Sequence, residues 1–254
     1  MKTVNVLRQD IGKGSLILVN PSHPMRCESS KKDLKSALPG YSEILVERRM
    51  ARMLRRLIDS LQASGQIVPV SGFRTMQEQK QIYADCERDN GAEFTRKFVA
   101  IPGCSEHQTG LAIDLAENRP EIDFIRPEFP HTGVCQKFRE QCARFGLIER
   151  YREGCEFITK IAPEPWHFRY VGCPHSEIIN REGLTLEEYT DFLKCFPYGG
   201  NHLFYPTPNG KAEIFFVKAD GSRPVPVRIP DGTPYRISGN NEDGFLLTEW
   251  QNRP

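Results

Sequence analysis

Apolar residues at helical spacing predict a long helix over residues 41–64. Eight of them recur at steps of three or four, namely Ile44, Leu45, Met50, Met53, Leu54, Leu57, Ile58 and Leu61. Gly65 follows and is expected to end the helix in the left-handed conformation. Thr75 and Glu78 have the spacing of a capping box, which predicts a second helix that ends by Asn90-Gly91. Two more amphipathic stretches predict helices over residues 134–145 and 184–196.

Alternation of apolar and small or polar residues predicts a strand over residues 109–116, TGLAIDLA, with Asp114 on the less apolar face. A short strand is expected through residues 67–70, and residues 156–170 are apolar and rich in β-formers at both ends. Helices and strands are mixed without strict βαβ alternation. The pattern therefore favours an α+β fold, with an antiparallel sheet flanked by helices.

The composition of the chain changes after residue 198. Short β-type runs separated by Gly-containing turns occupy residues 201–254, and they predict a small all-β appendage of three to five strands. We therefore expect two domains, residues 1–198 and residues 199–254. The first domain begins with an arm over residues 1–40, which is rich in turn formers and expected to be irregular.

Overall charge argues against two classes of partner. The 34 basic and 33 acidic residues leave a formal net charge of +1, without the basic excess that nucleic acid or an anionic membrane usually requires. Arg8, Asp10 and Lys13 interrupt the apolar start of the chain, so a secretory signal is not predicted. No stretch approaches the roughly 20 apolar residues of a membrane span. A cytoplasmic protein is expected.

The eight cysteines are scattered along the chain and form no CxxC pair. Disulfide frameworks are typical of small secreted chains, and thiolate zinc clusters normally use closely spaced cysteine pairs. The spacing therefore favours free thiols in a reducing compartment.

Polar clusters in apolar surroundings suggest a metal site. Catalytic zinc binds three protein ligands and keeps one position open, and His107, Asp114 and His167 could supply such a set. Glu164, three residues before His167, could exchange a proton with a reacting water, and Arg74 could stabilise an oxyanion. Taken singly, each residue has an ordinary structural interpretation: a packed histidine, a buried hydrogen-bond acceptor or an ion pair.

Three segments together resemble a known family. They read S-G-F-R-T from Ser71, S-E-H-Q-T-G-L-A-I-D from Ser105 and E-P-W-H-F-R-Y-V-G from Glu164. The chain resembles the LAS group of zinc D,D-peptidases, peptidase family M15, which includes the VanX and VanY peptidases of vancomycin resistance. Its signatures, SxHxxGxAxD and ExxH, are matched at every defining position. The resemblance covers roughly residues 40–195 and is closest to the bifunctional VanXY type.

This resemblance implies roles for particular residues. One zinc ion per chain would be held by His107, Asp114 and His167. Glu164 would act as catalytic base and acid, and Arg74 would bind the scissile carbonyl and its oxyanion. Gln79 and Ser105 fall where relatives place residues that contact the substrate.

The expected activity is hydrolysis of the D-Ala-D-Ala dipeptide, of the terminal D-Ala of peptidoglycan precursor stems, or of both. Vancomycin resistance and precursor recycling are both compatible contexts. One alternative is a peptidoglycan endopeptidase or L,D-type hydrolase that uses the same zinc site. A non-catalytic zinc module similar to hedgehog domains is a third hypothesis, and a module that only binds has no chemical need for Glu164 and Arg74.

Overall fold

The computed structural model of the chain describes residues 1–27, 30–219, 221 and 223–252. It divides into two compact units. The larger unit comprises Val19–Pro24 and Glu28–Thr185, and the smaller unit comprises Met1–Leu18, Met25–Cys27 and Leu186–Pro254.

Helices and antiparallel strands are mixed, which confirms the predicted α+β class. The helices are α1 (Arg48–Ser60), α2 (Met76–Asn90), α3 (Ala92–Phe98), α4 (Gly133–Gln141), α5 (Glu156–Thr159), α6 (His175–Glu182) and α7 (Leu186–Lys194). The strands are β1 (Lys2–Val6), β2 (Leu34–Ser36), β3 (Leu45–Glu47), β4 (Ile67–Ser71), β5 (Ala112–Glu117), β6 (Leu147–Tyr151), β7 (Glu164–Tyr170), β8 (Leu203–Thr207), β9 (Gly210–Lys218), β10 (Val225–Ile229), β11 (Tyr235–Gly239) and β12 (Gly244–Asn252). Within the described ranges, no helix has both the length and the apolar character needed to cross a membrane.

A four-stranded antiparallel sheet forms the centre of the larger unit, in the order β4-β5-β7-β6. The predicted strand over residues 109–116 is confirmed as β5, which lies between two partners and is buried along nearly its whole length. On one face of the sheet, Phe168 of β7 packs against Phe129 and Phe138, whose ring centroids lie 5.3 and 4.8 Å from its own. These rings support the strand that carries Glu164 and His167.

The first long helix is shorter than predicted at both ends. Residues 45–47 form β3, which pairs with β2, and the Glu47 side chain accepts hydrogen bonds from the backbone N–H groups of Arg49 and Met50. This cap starts α1 at Arg48 rather than near residue 41. The prediction that Gly65 ends the helix is wrong, because α1 ends at Ser60 and Gln62 already takes a positive φ of 53°.

Other helix signals are confirmed. Both hydrogen bonds of the Thr75–Glu78 capping box are present, each side chain accepting from the other residue's backbone N–H. Helix α2 ends at Asn90, as predicted. The helix expected over residues 134–145 consists of α4 and a following 3₁₀ turn, which Gly146 ends with a φ of 84°. The helix expected over residues 184–196 is α7.

The smaller unit contains the expected β-rich segment and also the start of the chain. Among the described residues after 199, β8 to β12 give five strands, four of them in a sheet of order β11-β12-β9-β8. The fifth, β10, pairs with β1, which places Val4 opposite Val227. The arm over residues 1–40 is therefore not wholly irregular, since alternating valines let its first residues form a strand.

The contacts between residues also place the boundary between the two units differently from the prediction based on composition. They place the boundary at Leu186 rather than at 198, and they group Met1–Leu18 with the C-terminal segment. Val6 and Ile11 belong to the same buried cluster as Phe215 and Leu247. The assignment of residues 1–198 as one functional domain stays a prediction.

Candidate active site

The central sheet places two of the candidate ligands side by side. Asp114 of β5 lies directly opposite His167 of β7, and Ser71 at the end of β4 lies on the other side of Asp114. The Asp114 Oδ1 atom is 2.9 Å from His167 Nδ1, and both side chains are about 95% buried. Strand register alone therefore brings together residues 53 positions apart.

His107 reaches the same point from a 3₁₀ turn, Glu106–Thr109, that precedes β5. Gly110 ends the turn in the left-handed conformation with a φ of 71°, and a Cβ atom there would lie 2.7 Å from the Leu34 side chain. Glycine avoids both the conformational strain and the clash. Gly110 therefore lets the chain turn so that His107 and Asp114 converge.

Ligand-type atoms of three residues converge here. One atom from each of His107, Asp114 and His167 lies within 4.8 Å of the others. His107 Nε2 is 3.1 Å from Asp114 Oδ2, and the other ring nitrogen, Nδ1, is 2.7 Å from the carbonyl oxygen of Gly72. Because a carbonyl can only accept, Nδ1 of His107 carries the proton and Nε2 presents a lone pair to the cluster.

Burial and neighbouring charges act differently on the two histidines. Burial, helped by the Arg74 charge, lowers the pKa of His107 to about 4, so this ring is neutral at pH 7. Burial opposes the charged form of His167 as well, but the carboxylates of Asp114 and Glu106 outweigh it and raise its pKa to about 9. A cation that binds here must therefore displace a proton from His167.

Arg74 lies against the cluster from the loop after β4. Its Nη2 donates to Asp114 Oδ2 at 3.0 Å, and its Nε donates to Ser71 Oγ at 2.9 Å. Its guanidinium also lies 5.6 Å from the ring centre of Phe124. These contacts fix the planar donor group at the edge of the site.

Glu164 completes the group of charged side chains. It begins β7, and its Oε2 lies 3.6 Å from His167 Nδ1. Burial raises the pKa of Glu164 to about 8, although the nearby His167 charge acts in the opposite direction. A carboxyl group with a pKa near neutrality can both accept and return a proton at physiological pH.

A single pocket in the larger unit is lined by all five of these side chains: Arg74, His107, Asp114, Glu164 and His167. The rest of its wall is mainly apolar and aromatic, and it includes Phe124, Tyr151 and Trp166. Convergent polar groups within an apolar cleft are typical of a small-molecule site.

The two remaining predicted residues lie in different places. Ser105 is buried and lines the pocket. Gln79 is fully buried, donates to the Ala100 carbonyl at 2.8 Å and accepts from Arg74 Nη1 at 3.4 Å. Gln79 is not among the described residues that line the pocket. Its contact with Arg74 indicates that it supports the position of the guanidinium.

One charged residue at the site was not predicted from the sequence. Glu106 is 1% exposed, and its Oε2 lies 3.6 Å from His167 Nε2. Burial would raise its pKa, but the charges of Arg150 and Arg169 outweigh it and hold the pKa well below its usual range. In the sequence Glu106 occupies a variable position of the SxHxxGxAxD signature, so the motif does not mark it.

The donor set fits a zinc ion. Two imidazole nitrogens and one carboxylate oxygen are the ligand types of catalytic zinc sites that keep a position open for water or substrate. The deprotonated Nε2 of His107 is already oriented for binding by the Gly72 carbonyl. All three ligand side chains line the pocket, so such an ion would face it.

Comparisons with known proteins identify relatives of this chain. The family model described as VanY, D-alanyl-D-alanine carboxypeptidase, matches residues 43–173. A relative from Enterococcus gallinarum, the bifunctional D-Ala-D-Ala dipeptidase and D-Ala-D-Ala carboxypeptidase VanXYC, is 39% identical over 180 residues. That match covers 70% of this chain and 95% of the relative.

Two solved structures are similar over different shares of the chain. The vancomycin resistance D,D-dipeptidase VanXYg, in complex with a D-Ala-D-Ala phosphinate analog, is 44% identical with a TM-score of 0.95 and covers 98% of this chain and 99% of its own. A mutant of the D,D-pentapeptidase VanY from a VanB-type cassette, in complex with Zn(II), is 31% identical with a TM-score of 0.57. It covers 69% of this chain and 98% of its own. This chain belongs to the VanY family of D-alanyl-D-alanine carboxypeptidases.

Proposed function

We propose that this chain is a zinc D,D-peptidase that hydrolyses D-Ala-D-Ala and also removes the terminal D-Ala from peptidoglycan precursor stems. The observation that carries the proposal is the convergence of three ligand-type side chains, a buried carboxyl group and a fixed guanidinium on one pocket. The activities named for VanXYC and VanXYg support the choice of substrate.

His107, Asp114 and His167 are the proposed ligands of one zinc ion per chain. Bound zinc supplies Lewis acidity, which lowers the pKa of a water molecule and polarises a carbonyl group. The VanY structure in complex with Zn(II) supports the identity of the metal.

Two side chains perform the proposed proton and charge chemistry. Glu164 takes a proton from the attacking water and returns it to the nitrogen of the leaving D-Ala as the peptide bond breaks. The guanidinium of Arg74 donates to the carbonyl oxygen, which gains negative charge as the water adds. The Ser71 contact restrains Arg74, so little reorganisation is needed when that charge develops.

The pocket wall suggests how the substrate is held. Trp166 and Ile125 offer apolar surface to the methyl groups of the two alanines, and Ser105 offers a hydroxyl group to the peptide. Gln79 supports the site by holding Arg74. A direct contact of Gln79 with the substrate stays a prediction.

Release of D-Ala by the purified chain tests the proposal. Substrates are the D-Ala-D-Ala dipeptide and UDP-muramyl-pentapeptide, each with and without a chelator. We expect chelator-sensitive release from both, a loss of 100-fold or more in Glu164→Gln and full activity in the control Glu153→Gln, whose side chain is exposed. The ratio of the two rates defines the balance between dipeptidase and carboxypeptidase activity.

Zinc-loaded, folded protein that released no D-Ala from either substrate would contradict the D,D-specificity. Cleavage of stem peptides at an L,D bond would then favour the L,D-type alternative. Removal of D-Ala-D-Ala termini eliminates the dipeptide that vancomycin binds, so resistance and precursor turnover are both proposed contexts. The cytoplasmic location stays a prediction that cell fractionation can test.

A further inference from the structure

Behind His167, on the side away from Asp114, three charged side chains lie in the interior of the larger unit. Glu106, Arg150 and Arg169 are each at most 2% exposed. Arg150 Nε donates to Glu106 Oε1 at 2.8 Å, and Arg169 Nη1 lies 3.9 Å from the same oxygen. Arg150 therefore holds one oxygen of the carboxylate by a hydrogen bond, the Arg169 charge lies close to the same oxygen, and the other oxygen faces His167.

The facing atoms are a donor and an acceptor that match each other. Glu106 Oε2 and His167 Nε2 are 3.6 Å apart, and both are buried without a partner within hydrogen-bond distance among the described residues. Buried polar atoms are normally paired, because an unpaired one loses its hydration without compensation. A displacement of a few tenths of an ångström would bring the pair into hydrogen-bond range.

The tautomer of His167 decides whether it can bind a metal. Its Nδ1 faces Asp114 and Glu164, on the side of the proposed ligands. A neutral imidazole carries one proton, so Nδ1 offers a lone pair only when the proton resides on Nε2. A carboxylate beyond Nε2 favours that tautomer and makes the ring a stronger ligand.

We propose that Glu106 is a positioning residue: its carboxylate accepts a hydrogen bond from the Nε2–H group of His167 and so orients Nδ1 toward the metal. Arg150 and Arg169 keep that carboxylate in place. This inference rests on the proposed zinc site. His107 is oriented in the corresponding way by the Gly72 carbonyl, which fixes its proton on Nδ1. The two ligands thus bind through different ring nitrogens, each selected by its own acceptor.

A purely structural role for Glu106 would have a different consequence. Two buried guanidinium groups need a nearby negative charge whatever the function of the protein. If neutralising them were the whole role of Glu106, its replacement would reduce stability and leave zinc affinity unchanged. Zinc affinity and thermal stability must therefore be measured separately.

The test is the zinc dissociation constant of the full, metal-depleted chain, measured by competition with a chromophoric chelator well below each variant's melting temperature. We expect Glu106→Gln to bind zinc about 10–100-fold more weakly than wild type. Leu54→Ala is the matched control, because it removes buried volume from α1 and leaves the site residues unchanged. It should lower the melting temperature without changing the zinc affinity.

A second variant covers the case in which Glu106→Gln does not fold. Glu106→Asp keeps a negative charge beside the two arginines but shortens the side chain by one methylene, which withdraws the carboxylate from His167. It should also bind zinc more weakly than wild type. Wild-type affinity in either folded variant would overturn the positioning role, whereas failure of the wild-type chain itself to bind zinc would overturn the proposed function instead.

Discussion

Replacement of Arg74 can separate two roles of this side chain, support of the ligand Asp114 and stabilisation of the reacting carbonyl. The guanidinium donates to Asp114 Oδ2 at 3.0 Å and to Ser71 Oγ at 2.9 Å, and it also lines the pocket. It could therefore support a ligand, stabilise the reacting carbonyl, or do both. Arg74→Met removes the charge and the donors, and Arg74→Lys keeps the charge but loses the planar fork.

The expected size of each effect follows from these contacts. Loss of one oxyanion donor typically lowers kcat by about 10²–10³-fold, equivalent to about 2.7–4 kcal/mol. We expect this loss in Arg74→Met and a smaller one in Arg74→Lys. The Arg74–Asp114 pair is largely buried, with side chains 13% and 6% exposed, and removal of one partner of such a pair costs about 3–5 kcal/mol of stability. Bound zinc would neutralise Asp114 in its place, so this cost should fall mainly on the metal-free protein.

The assay measures kcat and KM for D-Ala-D-Ala on protein whose zinc content has been determined. Melting temperatures are measured with and without zinc. Loss of kcat in fully zinc-loaded Arg74→Met, with KM little changed, would identify an interaction made in the transition state. A zinc-loaded Arg74→Met variant with kcat within about threefold of wild type would refute the oxyanion role. Loss of zinc from that variant would show instead that Arg74 acts through Asp114.

Three further predictions concern other groups. Burial raises the pKa of Glu164 from 4.5 to about 8, and bound zinc would lower it again, so Glu164 should become protonated at a pH between those two values. Because a protonated Glu164 cannot accept a proton from water, kcat/KM should fall as the pH drops through that range. A kcat/KM that stayed constant from pH 4.5 to 8 would contradict this. Phe168→Ala should lower the free energy of unfolding, measured with denaturant, by about 3–5 kcal/mol, because the ring is fully buried. The control Phe157→Ala, at an 86% exposed site, should change it by under about 0.5 kcal/mol. Equal effects of the two substitutions would refute the packing argument. Alkylation of the native protein at pH 8, followed by mass spectrometry, should label exposed Cys195 first and Cys142 last, because burial raises the pKa of Cys142 to about 12; early labelling of Cys142 would contradict its burial.

Local patterns were sufficient for the parts of the fold that depend on neighbours in sequence. The alternation around Asp114 predicted β5, and the Thr75–Glu78 spacing predicted the start of α2. Both signals depend on residues a few positions apart. The helix over residues 41–64 was overestimated because apolar spacing does not reveal that residues 45–47 pair with another strand.

Features that depend on distant residues had no such signal. Glu106 and Arg150 are 44 positions apart and lie in separate elements, so only the folded sheet shows that they form a buried pair. The family pattern suggested a substrate contact for Gln79, whereas the structure shows its side chain bonded to Arg74 and to the Ala100 carbonyl, contacts that no local pattern predicts. The sequence could indicate which residues gather at the site, whereas the direction that each side chain faces required the structure.

The pairing of β1 with β10 has a consequence for synthesis of the chain. Val4 must wait for Val227, about 220 residues later, before its strand can form. At about 5–20 residues per second, that delay is roughly 10–45 s. The segment Glu28–Thr185, which carries all the proposed catalytic residues, is synthesised in full during that interval. The first strand therefore emerges from the ribosome early, with its alternating valines unpaired, and closes the smaller unit only near the end of translation.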